Sequence, residues 1–173
     1  NPEVLKKTIE TGGTSLQNGL ANFLNDYDHE TDELKIKMVR PDAFVLGRDL
    51  AASKGKVIFR NKLLELIQYS PSTQKVRSVP LLIVPPWINK FYILDLKKEN
   101  SFVKYAVESG LTVFMISWLN PKEEAREIVF DDYAKGLLEC ISLVKTQTRS
   151  AQVNCAGYCI GGTLLAIALA ILE

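Results

Sequence analysis

A chain of 173 residues with 47% apolar and 24% charged residues has the make-up of a folded globular protein of about one domain, and argues against wholesale disorder. Its 21 basic and 20 acidic residues nearly cancel, and a net charge of +1 gives no electrostatic case for nucleic acid or an anionic membrane surface. Three cysteines, Cys140, Cys155 and Cys159, are too few and of the wrong parity for a secreted disulfide framework, so a reducing compartment such as the cytoplasm fits. The chain opens on polar NPEVLKKTIE rather than a signal peptide, and its longest apolar stretch, residues 164–172, falls far short of the ~20 residues that span a bilayer, so no transmembrane segment is expected. It lacks an initiator Met and stops at Glu173 inside an apolar helical pattern, which leads us to expect a fragment.

Residues 1–55 are polar, with few long apolar runs, and read as an N-terminal segment preceding the core. Gly12-Gly13 is a breaker, residues 25–33 (NDYDHETDE) an acidic loop, and Pro41-Asp42 a turn. Residues 56–173 read as the core. Val57-Ile58-Phe59 is a short β-rich run and Asn61-Lys62 a turn. Residues 63–69 are a second strand or a short helix, and the stop at Ser70-Pro71-Ser72 favours a hairpin partner. Then comes a cleaner alternation. Residues 80–84 (PLLIV), 112–118 (TVFMISW) and 152–156 read as strands buried on both faces. Between them lie a helix over 101–108, ending at Gly110, and a helix over 130–145 with Tyr133, Leu137, Ile141 and Val144 on one face. Residues 161–172 form a last helix, apolar all round and therefore expected deep against the sheet as a core helix. Strand–helix alternation of this kind implies an α/β fold of right-handed βαβ units, with a parallel sheet and helices on both faces.

Gly157-Tyr158-Cys159-Ile160-Gly161-Gly162 falls between the last strand and the apolar helix. It has the G-x-C-x-G form of a nucleophile elbow with Cys in place of Ser. A nucleophile at the tip of a tight strand-to-helix turn needs a strained backbone and glycine, or a very small residue, two positions to either side. The helix N-terminus brings the positive end of its macrodipole to the sulfur. A free thiol is mostly protonated at neutral pH, so a base must still help. The pattern alone is weak, since Cys is a common buried residue and Gly a common turn former. The strand before it, the apolar helix after it and two preceding parallel units strengthen it. In an α/β-hydrolase the oxyanion hole takes the N–H after the nucleophile, here Ile160, and one from the loop after the third strand. That loop is Pro85-Pro86-Trp87-Ile88-Asn89-Lys90. The prolines have no N–H, which leaves Trp87 and Ile88, and we favour Ile88. The alternative is that Pro-Pro only ends the strand.

VPLLIVPPWINKFYILDLKKENSFVKYAVESGLTVFMISWLNP, followed by the G-Y-C-I-G-G elbow, resembles the polyhydroxyalkanoate synthases, the bacterial polyester polymerases. SLQNGLANFLNDY, FVLGRDLAASKGKVIFRNKLLELIQY and Phe130-Asp131-Asp132-Tyr133 resemble the same family, and the likeness runs through nearly the whole chain. The N-terminal matches are closer to the class acting on short-chain monomers. Two positions depart: Trp87 stands where some members have Cys, and Leu119 stands where an S-W-R-N-P motif would place Arg. The resemblance implies an α/β-hydrolase core with a Cys-His-Asp triad, truncated here after the nucleophile-elbow helix. It implies that Cys159 attacks the thioester of an (R)-3-hydroxyacyl-CoA, most readily 3-hydroxybutyryl-CoA. CoA then leaves, and a hydroxyl end of the growing polyester takes the acyl group. Thiol-for-thiol exchange keeps that acyl group activated, whereas a serine ester would forfeit much of the driving force. A dry pocket decides between polymer and hydrolysis. No cofactor is implied, CoA being the leaving group. A homodimer and a place at polymer granules in the cytoplasm follow from the family and its insoluble product.

In an α/β-hydrolase the acid and the histidine follow the nucleophile. Neither Asp nor His follows Cys159, and the single histidine, His29, precedes it by 130 positions. The chain is therefore expected to hold nucleophile and oxyanion donors without acid and base, to lack polymerase activity alone and to dissolve poorly alone. Asp26, Asp28, Glu30 and Asp32 mimic the start of a calcium loop, but Thr31 and Lys37 stand where Gly and Glu are required. Asp131 and Asp132 read as helix-capping charges, Cys140 and Cys155 as packing, and no metal site is expected. Two further readings stay open: a Cys-nucleophile hydrolase of thioesters or lactones, and a non-catalytic, granule-associated binding module on the same fold.

Overall fold

The computed structural model describes residues 1–36, 38–40 and 42–172. Lys37, Pro41 with the turn expected there, and Glu173 lie outside the described residues. The chain divides into two compact units, Asn1–Ala43 and Phe44–Glu173.

The first unit holds two helices, α1 (Pro2–Glu10) and α2 (Thr14–Asp26), that the polar reading of 1–55 did not resolve. Asn1 caps α1, its side chain accepting from the Glu3 N–H at 3.0 Å, with Pro2 at the first helical position, where a missing N–H costs nothing. Gly12 and Gly13, both at positive φ, separate the two helices as expected of a breaker. The acidic stretch 25–33 is not simply a loop. Its first two residues finish α2, and β1 (Tyr27–Asp28) pairs antiparallel with β2 (Glu33–Leu34). Asp28 does not serve a calcium loop: its carboxylate pairs with Lys35 and accepts from the N–H groups of Glu30 and Thr31. Lys35 first, then those N–H groups, hold its carboxyl below the usual carboxylate range. Among the described residues of this unit none is buried.

The second unit is built on a five-stranded sheet of order β3-β4-β6-β5-β7. β3 (Gly55–Arg60) and β4 (Leu64–Tyr69) form the antiparallel hairpin. Its turn is made by Asn61, whose side-chain oxygen accepts from the N–H groups of Leu63 and Leu64 at 2.8 and 2.9 Å. β4 runs antiparallel to β6 (Val113–Trp118); β6 and β7 (Asn154–Gly157) both run parallel to β5 (Leu81–Val84). The helices are α3 (Phe102–Glu108), α4 (Phe130–Thr148) and α5 (Ile160–Ile171).

Strand side chains alternate between two faces, and here both faces are covered. Leu82, Val84, Phe114 and Ile116 pack with Leu137, Cys140 and Val144 of α4 and Leu164 of α5. Leu81, Ile83, Val113 and Met115 pack with Val103, Ala106 and Val107 of α3. This is why β5 and residues 113–116 of β6 are apolar without a break. The fold is therefore α/β, with a parallel trio of strands and an antiparallel hairpin on one side. Asp95, only 2% exposed, is held at the entry to α3. Its carboxylate accepts from the Ser53 N–H and hydroxyl, at 3.1 and 2.8 Å, and from the Ser101 hydroxyl.

Two burial expectations are corrected. β7 is not buried on both faces: Asn154 and Gly157 are exposed and Cys155 and Ala156 half-buried. Among the described residues β7 pairs with β5 alone. The apolar helix α5 is not a deep core helix either. Gly161, Leu164 and Ala168 are buried, whereas Leu169, Ile171 and Leu172 are at least half exposed. Packed on α4, β5 and β7 among the described residues, α5 buries one stripe at i, i+3 and i+7, whatever the composition of its other sides.

Candidate active site

The turn from β7 into α5 is short enough that the chain reverses direction within Tyr158 and Cys159. Cys159 is the N-cap of α5 and sits at φ 53, ψ −130, a conformation that costs a non-glycine residue on the order of 1–3 kcal/mol. Its side chain is exposed. The glycines on either side are sterically required. A Cβ on Gly157 would lie 2.4 Å from the Gly162 Cα, and one on Gly161 would lie 2.2 Å from the Val84 carbonyl oxygen. The turn is stitched by Tyr158 N–H to Val84 O (3.0 Å), Gly161 N–H to Tyr158 O (3.0 Å) and Gly162 N–H to Cys159 O (2.9 Å). Ile160 opens α5, so its N–H is among those a helix leaves without an internal acceptor. The positive end of the α5 dipole lies at the same point.

Gly157, Cys159, Ile160 and Gly161 are thus gathered in a single turn. That turn lies against the exit of β5, because Gly161 abuts the backbone of both Val84 and Pro85. Ile88 belongs to the same exit, three residues beyond Pro85, in a bend where its side chain is 76% exposed. The structure also shows a support that sequence reading missed. The Trp118 indole N–H, at the end of β6, donates to the Pro85 carbonyl at 2.8 Å in a buried bond. Trp87 packs against Trp118, Phe130 and Tyr133, with ring centroids 6.5, 5.9 and 5.1 Å away. Lys90 donates to the Asn120 side chain, tying the loops after β5 and β6 together. The signal available in sequence was the spacing of Phe130 and Tyr133 at i and i+3, with one tryptophan ending β6 and another three residues beyond β5. Leu119, at the position that departs from the family motif, extends the β4–β6 pairing through its N–H to Leu63 O at 2.9 Å.

The remaining chemical side chains fall outside this turn. Cys140 is fully buried on α4, and burial foremost, with Glu139 second, pushes its thiol up to about 12. Cys155 is half-buried on β7 and is also raised by burial, against the opposing pull of Lys145. Asp132 accepts from the Val129 N–H at 3.0 Å and so caps α4. His29 lies in the first unit, in the β1–β2 turn, edge-on to Tyr27. Among the described residues no three His, Cys, Asp or Glu side chains are grouped to hold a metal ion, and no helix is long and apolar enough to cross a membrane. A cleft of about 380 Å³ beside Asp95, lined among others by Lys54, Lys98 and Lys104, contains none of the elbow residues.

Residues 1–106 match the family described as the N-terminus of poly-beta-hydroxybutyrate polymerase (PhaC). The chain is 47% identical over 171 residues to the poly(3-hydroxyalkanoate) polymerase of Methylorubrum extorquens, a match that takes in 98% of this chain and 28% of that protein. It is 45% identical over 166 residues to poly(3-hydroxyalkanoate) polymerase 2 of Ectopseudomonas oleovorans, covering 96% and 29%. Against the poly(3-hydroxyalkanoate) polymerase subunit PhaC of Cupriavidus necator it is 41% identical over 173 residues, covering 99% and 29%. The chain therefore spans less than a third of the length of these curated relatives. With a family match over its first 106 residues and near-complete pairwise matches that run on through the cysteine elbow, the chain belongs to the poly-beta-hydroxybutyrate polymerase family.

Proposed function

We propose that this chain supplies the nucleophile of an acyltransferase that polymerises (R)-3-hydroxyacyl-CoA, short-chain 3-hydroxybutyryl-CoA in particular, into polyhydroxyalkanoate. One observation carries the reading. Cys159 is exposed at a positive-φ turn at a helix N-terminus, between two positions that tolerate only glycine. Backbone strain of this kind clusters at functional sites. In this reading the Cys159 sulfur attacks the thioester carbonyl and the oxygen gathers negative charge facing the N–H groups of Ile160 and Ile88. The carbon–sulfur bond to CoA then breaks and CoA leaves as the thiol. The hydroxyl end of the growing chain attacks the new thioester, an ester forms, and its proton returns to the Cys159 sulfur. Two oxyanion donors of this type contribute about 10²–10³ in rate each.

The elbow, together with an oxyanion loop following the third strand of the sheet, supports an α/β-hydrolase core over residues 56–173, preceded by the segment 1–55. The acid and base are assigned to an Asp and a His outside these residues, so the 173-residue chain alone is expected to be inactive. No cofactor takes part, the enzyme works as a homodimer, and an insoluble product keeps it at cytoplasmic granules. The test compares the full-length protein with its Cys159→Ala variant on 3-hydroxybutyryl-CoA. Insoluble polyester from the parent and none from the variant supports the reading. Free hydroxy acid from the parent would make it a hydrolase, and polymer from Cys159→Ala would reduce the elbow to a scaffold.

A further inference from the structure

We infer that Trp118 is a positioning residue for the oxyanion donor at Ile88, an inference that rests on the reading of Cys159 as acyl acceptor. The chain leaves β5 through Pro85 and Pro86, which carry no N–H and so cannot anchor the loop by donating. Of the backbone hydrogen-bonding groups of these two residues, only the carbonyls remain. The Pro85 carbonyl is held by one side chain and closely approached by the elbow. The Trp118 indole N–H donates to it at 2.8 Å, and its oxygen lies 2.9 Å from where a Gly161 Cβ would stand. The hydrogen bond is buried, with Trp118 itself 9% exposed, so water does not compete for it. The next side chain, Trp87, then meets the edge of Trp118 and tilts onto Tyr133, which blocks rotation of the loop about that anchor. Ile88 follows with its own side chain in solvent, so it offers the loop a backbone group and no packing. An oxyanion donor works by being aimed before charge develops. Here the aim is set by an indole that acts through its hydrogen bond to the Pro85 carbonyl.

The experiment is done in the full-length protein. Trp118→Phe removes the donor and keeps an aromatic ring. Replacing Trp118 with β-(3-benzothienyl)alanine removes only the N–H and keeps the shape, so a folding failure of the first variant leaves the second decisive. Turnover of 3-hydroxybutyryl-CoA is read alongside the alkylation rate of Cys159 by iodoacetamide, a reaction that uses no oxyanion hole. The expected result is a fall in kcat of about 10–100-fold, with KM and the alkylation rate changed by less than about threefold. An unchanged kcat, or a kcat that falls in proportion to Cys159 alkylation, overturns the inference. Cys159→Ala is run in parallel. If it still makes polymer, the reading of the elbow fails; if it is dead while the Trp118 variants are fully active, only the role of Trp118 fails.

Discussion

Gly161 lies against Val84 so closely that a Cβ on it would stand 2.2 Å from the Val84 carbonyl oxygen. That oxygen already accepts the Tyr158 N–H at 3.0 Å, so neither partner can retreat without pulling the elbow from β5. Gly161→Ala is therefore expected to cost stability at or above the upper end of about 1–3 kcal/mol and to abolish activity of the full-length enzyme. Gly157→Ala, with its Cβ 2.4 Å from the Gly162 Cα, should follow closely. Gly162→Ala meets its nearest atom, Gly157 O, only at 3.3 Å and should be the mildest of the three. Urea midpoints of the three variants check the order.

Asp95 carries a buried carboxylate whose three donors come from Ser53 and Ser101, joining the segment before β3 to the cap of α3. Asp95→Ala strands those donors and is expected to destabilise by about 2–3 kcal/mol. Asp95→Asn keeps an acceptor and should lose roughly half as much. Equal stability of both variants and parent, by chemical denaturation, would count against this latch.

The three thiols should separate by exposure. Iodoacetamide at neutral pH is expected to label Cys159 first, Cys155 slowly and Cys140 only after unfolding, as read by peptide mass spectrometry. Cys140 also sets a pH dependence. In the folded chain its thiol keeps its proton up to about 12, whereas in the unfolded chain it ionises near ~8.5. The folded pKa is the higher one, so this contribution to stability is intact below about 8.5 and drains away as pH climbs towards 12. Cys140→Ala should flatten that alkaline decline. Part of it will persist, because burial, and then Asp95, also raise the Tyr69 phenol.

The buried strands were legible because β5 and residues 113–116 of β6 are covered on both faces and so carry unbroken apolar runs. The elbow was legible because steric exclusion leaves a glycine spacing in the sequence. Burial of α5 was misread for a physical reason: a sequence shows which sides of a helix are apolar, not which sides meet a neighbour. α1 and α2 were hidden by the polar composition of their segment, although Leu16, Leu20, Phe23 and Leu24 recur at i, i+4, i+7 and i+8, the spacing of one helical face. The Trp118–Pro85 bond joins positions 33 apart through an indole donor, a contact that no periodicity reports.

The most direct measurement is to mix the full-length protein with 3-hydroxybutyryl-CoA, quench early and digest for mass spectrometry. A hydroxyacyl group on the peptide bearing Cys159, formed in step with the first equivalent of CoA released and cleaved by hydroxylamine, is the expected result. CoA release with the acyl group on another residue, or with none on the protein at any time, would contradict the account.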